Sequence, residues 1–240
     1  MVRLTRHGWR EMLIGTVVLA ITAAGLGYAW WPLALVTVPI LVWLFAFFRD
    51  PHRTLPAEQH AMVSPADGTV SDVGVVQSDL LGGPALRIGI FLSVFNVHVN
   101  RAPCDGRVID VRYKKGKFIS ALKHAEASDE NESNTVVLAE PAGDRPIAVV
   151  KQIVGLIARR IVFTPRIGDV VMRGDRIGMI KFGSRTELYI PMWMEPTAKV
   201  VVGQVLRGAA DIVATLGKPI HTEKLNTQEF EPLVGRETPA

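Results

Sequence analysis

The 240-residue chain is long enough for one sizeable domain with an appendage, and 48% of its residues are apolar. A single cysteine, Cys104, rules out an intrachain disulfide and reads as a small packing residue. The net charge of +4 comes without a long Lys/Arg run or interleaved aromatics, which argues against nucleic acid and suits an anionic membrane surface.

The first element is apolar. Met12–Phe48 contains no charged residue, and as one helix it would reach about 55 Å against a hydrocarbon core of about 30 Å. It is therefore expected to fold back near Trp30, Trp31 and Pro32, because tryptophan favours the interface and proline breaks helices. Met12–Trp31 is long enough to cross. Leu33–Phe48 is shorter and holds Pro39, so it crosses by thinning the bilayer or re-enters. Arg3, Arg6 and Arg10 precede the segment and Arg49 and Arg53 follow it, which puts both ends on the cytoplasmic side. A signal peptide is disfavoured by length, and a buried core pair by the lack of any polar face. Residues 1–50 thus read as a membrane-anchoring hairpin and 51–240 as a β-rich domain.

From Met62 onward, short β-rich runs alternate with turn signals. Strands are expected at Thr69–Val76 and Leu86–Leu92, with a turn at Gly82-Gly83-Pro84 between them. Further strands are expected at Gly106–Tyr113, Thr135–Ala139, Ile147–Ile153, Ile161–Thr164, Arg176–Phe182 and Glu187–Pro191. Ser120–Asn134 reads as a helix fragment or loop, and the tail after Leu225 as loosely held. The fold class is mainly β, a barrel-sandwich-like domain with a few short helices behind a helical membrane hairpin. Gly168–Gly178, with two Gly-Asp turns, is similar to the hammerhead of biotinyl and lipoyl carrier domains.

The stretch with the most distinctive potential chemistry is Lys181-Phe182-Gly183-Ser184-Arg185. On turn chemistry alone, Gly-Ser here is an ordinary turn or bulge. A serine hydroxyl can nevertheless attack the preceding carbonyl when the backbone is strained, and glycine leaves that carbonyl unhindered. β-Elimination of the resulting ester leaves dehydroalanine, and hydrolysis yields ammonia and a pyruvoyl group. The hydroxyl needs a base and the oxyanion needs donors.

An ordered set of segments resembles the phosphatidylserine decarboxylases, in particular their short prokaryotic form. It comprises Phe47–Arg53, Ser64-Pro65-Ala66-Asp67-Gly68, Phe91-Leu92-Ser93 and Val97-His98-Val99-Asn100-Arg101-Ala102-Pro103. Gly116-Lys117-Phe118, Asn131-Glu132, Gln152–Ile161 and Arg176–Ser184 complete it. The resemblance implies autocatalytic cleavage between Gly183 and Ser184 into a β chain (1–183) and an α chain (184–240) that stay together as a heterodimer, with a higher homo-oligomer left open. Ser184 becomes the pyruvoyl cofactor, which forms a Schiff base with phosphatidylserine and serves as electron sink for loss of CO2, giving phosphatidylethanolamine; no metal is implied. The site would face the cytoplasm at the inner membrane, among membrane lipid.

The same resemblance assigns Asp67 to support of self-cleavage, where turn chemistry alone would make it a cap before Gly68. It assigns His98 as proton donor; alternation puts His98 on the face opposite Val97 and Val99, where it could equally be a satisfied strand residue. Larger family members carry a second histidine three positions later, and here Arg101 stands there. Arginine cannot accept a proton, so His98 is left to serve both steps and Arg101 to hold a phosphate or carboxylate. Arg185, where those members have threonine, is placed beside the anionic substrate or in solvent. Two other classes compete. A membrane-tethered carrier or adaptor would need a lysine at a hairpin tip, whereas Lys181 falls in an expected strand. A zinc peptidase would need a His-x-His pair, and Val97-His98-Val99-Asn100 supplies one histidine.

Overall fold

A computed structural model describes residues 3–121, 124–156, 160–181 and 183–220, with the side chains of residues 124 and 125 left aside. The expectation for the tail after Leu225 falls outside these residues.

The apolar segment forms helices α1 (Trp9–Ala29), α2 (Trp31–Ala34) and α3 (Thr37–Phe47). The chain breaks at Trp30, whose extended backbone lets Pro32 enter the first turn of α2. The helices fold back on one another: the Leu44 side chain occupies the space beside Gly15, and Met12 packs with Leu44. Arg6–Ala29 has a mean hydropathy of 1.9 and is long enough to cross a membrane; Trp31–Phe47 is shorter. At the base of the hairpin the two ends pair, with Thr5 N–H donating to the Phe48 carbonyl (2.9 Å) and Asp50 N–H to that of Arg3 (2.7 Å).

The remainder is mainly β. In chain order the strands are β1 (Ala61–Val63), β2 (Gly68–Ser78), β3 (Gly83–Leu92), β4 (Val99–Arg101) and β5 (Gly106–Lys114). Helix α4 (His124–Glu130) precedes β6 (Ser133–Ala139), β7 (Pro146–Val154), β8 (Ile161–Phe163) and β9 (Val170–Val171). The chain continues through β10 (Arg176–Ile180), β11 (Ser184–Pro191), β12 (Pro196–Ala198), β13 (Val205–Leu206) and β14 (Ile212–Leu216). Eight strands form one curled, half-barrel sheet in the order β13-β2-β3-β11-β7-β6-β5-β9. Two three-stranded sheets, β1-β14-β12 and β4-β10-β8, accompany it, and the paired strands are antiparallel. The core lies inside the curl, where Ile88, Ile90, Leu138, Ile147, Leu188 and Ile190 are fully buried or nearly so.

Several boundaries differ from the sequence expectation. The β2–β3 turn is a 3-10 turn at Asp79–Leu81 closed by left-handed Gly82, so Gly83 and Pro84 already belong to β3. β10 stops at Ile180, with Lys181 beyond it and the expected end at Phe182 outside the described residues, and β11 starts at Ser184 rather than Glu187, because residue 184 pairs with Leu92 on one side and Val154 on the other. β12 to β14 lie outside the expected strands: β13 pairs with β2 and β14 with β1, both far away in sequence, and β12 then pairs with β14. Both Gly-Asp turns are present: Gly168 and Gly174 have positive φ, and the Asp169 and Asp175 carboxylates accept from Arg166 and Met172 N–H.

Candidate active site

β10 and β11 are consecutive but belong to different sheets, and Gly183 makes the crossing. Its φ of +64° is a left-handed conformation that glycine adopts without penalty. The Ser184 side chain is fully buried, and among the described residues its Oγ has no hydrogen-bond partner. Such an orphan is costly in an ordinary core. Alternation along β11 puts Ser184 and Thr186 on the inner face with Leu188 and Ile190, and Arg185, Glu187 and Tyr189 on the outer face.

His98 is placed by the loop between β3 and β4. Asn96 Oδ1 accepts from the backbone N–H and hydroxyl of Ser93 (both 2.8 Å), and the Asn96 carbonyl lies 3.0 Å from His98 Nδ1. Gly183 N–H donates to His98 Nε2 at 3.3 Å. A neutral imidazole with its proton on Nδ1 satisfies both contacts. Burial pushes the His98 pKa down to about 4, against the pull of the Asn96 carbonyl. The Ile180 N–H donates to the carbonyl of His98 (3.3 Å), so the strand leading to Gly183 is tied to the histidine twice.

Three features around this pair carried no residue-level sequence signal. Phe47, the last residue of α3, stacks on His98 with ring centroids 4.3 Å apart. Gly155 abuts the Gly183 carbonyl: a Cβ there would stand 3.1 Å from the carbonyl carbon and closer to its oxygen. A buried amide relay crosses the interior: Asn134 Nδ2 donates to Gln152 Oε1 (3.1 Å), Gln152 Nε2 to Asn100 Oδ1 (2.9 Å), and Asn100 Nδ2 to Thr186 Oγ1 (3.0 Å). It joins the strand after His98 to the strand headed by Ser184. Gly155, Gln152 and Asn100 all stand in the family-like segments, but as members of runs with no role attached.

The other candidates lie further out. Asp67 Oδ1 accepts from Gly208 N–H (2.7 Å) and Oδ2 from Arg53 (2.6 Å), while burial pushes its carboxyl above the usual range. It sits on the loop whose Pro65 carbonyl accepts from Arg101 N–H, beside β4. Arg101 is buried, with its guanidinium on Asp50 (2.8 Å) and on the Pro51 and Gly174 carbonyls (both 3.1 Å). It forms part of the wall of a cleft of about 180 Å³ that His52, Arg53, Arg173 and Arg176 also line. Arg185 is buried on the outer face of the sheet, away from the Ser184 side, and its three nitrogens are engaged by Ser71, Asp72 and Glu187. Lys181 is buried and paired with Glu11 (2.6 Å), which is not the exposed hairpin-tip lysine of a carrier domain. Among the described residues no group of three or more His, Cys, Asp or Glu side chains is arranged to hold a metal.

The sequence profile described as phosphatidylserine decarboxylase matches residues 40–214. The phosphatidylserine decarboxylase proenzyme of Rhodopirellula baltica is 47% identical over 186 residues, covering 78% of this chain and 77% of that protein. The proenzyme of the same name from Ralstonia nicotianae is 41% identical over 215 residues, covering 89% and 95%. That of Trichlorobacter lovleyi is 44% identical over 206 residues, covering 86% of each. With a glycine-serine junction at the head of a central strand and a profile match across most of its length, the chain belongs to the phosphatidylserine decarboxylase family.

Proposed function

We propose that the chain is a proenzyme that cuts itself between Gly183 and Ser184 and then decarboxylates phosphatidylserine at the membrane surface. The observation that carries the reading is the buried Ser184 Oγ, without a hydrogen-bond partner among the described residues, next to a left-handed glycine whose N–H rests on a neutral histidine. A hydroxyl held without a partner keeps its lone pairs free for attack, and His98, uncharged down to about pH 4, can take its proton when Nε2 exchanges the Gly183 N–H for the hydroxyl.

Attack by Oγ on the Gly183 carbonyl carbon breaks the amide and forms an ester. Removal of the Ser184 α-proton expels the Gly183 carboxylate, breaking Cβ–Oγ and leaving dehydroalanine. Water then replaces nitrogen, releasing ammonia and leaving a pyruvoyl ketone at residue 184. The residues fit that group, because the Ser184 position is dry, lined by apolar neighbours and fixed between β3 and β7. Such a ketone supplies the electron sink for loss of CO2 from an amine-bearing substrate. His98 Nε2 takes a proton from the substrate ammonium as the amine is engaged and returns it in place of the departing CO2, Phe47 shields the imidazole from water, and the amide relay holds His98 at its distance from residue 184. Asp67 supports the cleavage by tying the 64–67 loop, whose Pro65 carbonyl rests on β4, to Gly208 and Arg53, and Arg101 does so by tying Asp50 to the domain.

The hairpin anchors this site in the inner membrane with both ends cytoplasmic, as the arginines at its base favour. The test is intact-mass analysis of the purified chain. Two fragments meeting at Gly183/Ser184, the smaller carrying a carbonyl-reactive amino terminus, are expected. Ser184→Ala is expected to leave one chain with no decarboxylase activity, and a processed, active Ser184→Ala protein would overturn the proposal.

A further inference from the structure

On the outer face of the large sheet, the residue next to the proposed cut is fixed by buried charge. Arg185 is 1% exposed and Glu187 fully buried. Arg185 Nε donates to Glu187 Oε1 at 2.9 Å, Nη2 to Asp72 Oδ2 at 2.5 Å, and Nη1 to the Ser71 hydroxyl. Glu187 is held in turn by the Tyr189 hydroxyl (2.6 Å) and the Ser128 hydroxyl (3.0 Å). Burial pushes the Asp72 carboxyl up, but the hydrogen bond and charge of Arg185 outweigh it and hold the group below the usual carboxylate range.

Two backbone features seat this arginine. β3 lies between β11 and β2, and the side chain crosses it at Gly89, which stands opposite both Glu187 and Asp72. Any Cβ at residue 89 would come within 2.7 Å of the guanidinium carbon. β2 shifts register between Val70 and Asp72, so Ser71 is the extra residue of a bulge, and consecutive side chains Ser71 and Asp72 reach the same guanidinium. A glycine and a bulge thus make room for one side chain.

We propose that Arg185 is a positioning residue that straps the newly made amino terminus of the α chain to β2 of the β chain, holding the residue-184 ketone in register after the peptide bond is gone. The inference rests on the reading of Gly183–Ser184 as the cleavage site. Before the cut, residue 184 is restrained from both sides by the main chain, and the strap is redundant. After it, residue 184 has lost its covalent neighbour and its N–H, and a chain end with neither is prone to fray. A forked arginine one residue away, giving one nitrogen to a carboxylate of each chain and desolvated between them, restores the restraint. Displacement of a reacting group by about 1 Å is enough to cost roughly 10²-fold in rate.

The experiment uses the full-length chain in lipid nanodiscs containing phosphatidylserine. Arg185→Met is paired with Glu187→Gln so that the fully buried carboxylate is not stranded, while Asp72 keeps its pair with Arg87 (3.1 Å), and Gly89→Ala independently displaces the guanidinium with every charge retained. Both are expected to be cut within a few-fold of the normal rate, then to show kcat at least tenfold lower with KM within twofold. Arg185→Lys, which keeps the charge but not the fork, should recover part of the loss. Native labelling of the ketone by a hydrazine probe should be faster in the variants than in the unaltered enzyme. If both variants mature with full kcat and unaltered labelling, the strap is wrong while the cleavage reading stands. If the unaltered chain is never cut, the cleavage reading fails and the strap falls with it.

Discussion

Gly155→Ala tests whether the Gly183 carbonyl is the electrophile. Residue 155 follows β7, its backbone is in an ordinary region, and alanine there carries no conformational penalty of the kind a left-handed position imposes. The added methyl would stand 3.1 Å from the Gly183 carbonyl carbon and well inside contact distance of its oxygen, with the Ala121 methyl at 3.3 Å on another side. A carbon–oxygen approach is comfortable from about 3.3 Å, so the carbonyl must retreat by something near 1 Å. A shift of that size relative to the attacking oxygen costs about 10²-fold, or about 2.7 kcal/mol of barrier. The replacement also removes backbone freedom from the unfolded chain, worth about 0.4–1 kcal/mol in favour of folding, so the precursor should still fold. A denaturing-gel time course of the purified precursor measures the conversion directly, with thermal unfolding as the check on folding. A Gly155→Ala chain that is cut at the normal rate would refute the placement of that carbonyl in the reaction.

Three further outcomes follow from the same site. His98 has its pKa lowered from 6.5 to about 4, so between those values the unfolded chain binds a proton that the folded chain does not; the stabilisation is full above pH 6.5 and is lost as pH falls toward 4, on the order of 3 kcal/mol. Denaturation midpoints at pH 7 and pH 5 should differ by less in His98→Gln than in the unaltered protein, and self-cleavage should stay flat across that range rather than fall near 6.5. Gln152→Leu strands the Asn100 oxygen and the Asn134 amide, at about 1–3 kcal/mol each, and should both lower the unfolding midpoint and slow cleavage; equal cleavage rates would show that the relay does not set the distance to His98. β11 pairs along its whole length with β3 and along most of it with β7, both upstream of the cut. The two fragments should therefore co-migrate in native gel filtration and part only in denaturant, and separation under native conditions would contradict the pairing.

The hairpin and most strands could be read from local pattern because their signals are local: an uncharged stretch broken at Trp30–Pro32, and alternating β-branched runs closed by Gly and Pro. β12 to β14 carry weaker patterns: β13 and β14 form on β2 and β1, a long-range fact that no window contains, and β12 adds to β14. Gly183, Ser184 and His98 were singled out by resemblance to a family, and the structure brings His98 Nε2 to the Gly183 N–H. Arg185 shows where reasoning from charge falls short. Placed next to the reactive residue, it invites a role toward an anion, but strand alternation turns it onto the outer face, across Gly89, to Asp72 and Glu187. The Phe47 stack and the Gly155 approach depend on packing between segments dozens of residues apart, and nothing in either residue's neighbours announces them.

Phe47 closes the last turn of the hairpin and packs on the imidazole at a tilt of 34°, so the floor of a bilayer holding that hairpin would come within a side chain's length of the chemistry. A lipid would then have no need to leave its leaflet. Its acyl tails could stay among their neighbours while only the headgroup dips to meet residue 184, and encounter becomes a search in a plane rather than in a volume. On that footing the rate should follow the surface density of lipid in the leaflet and stay indifferent to how much lipid the suspension contains.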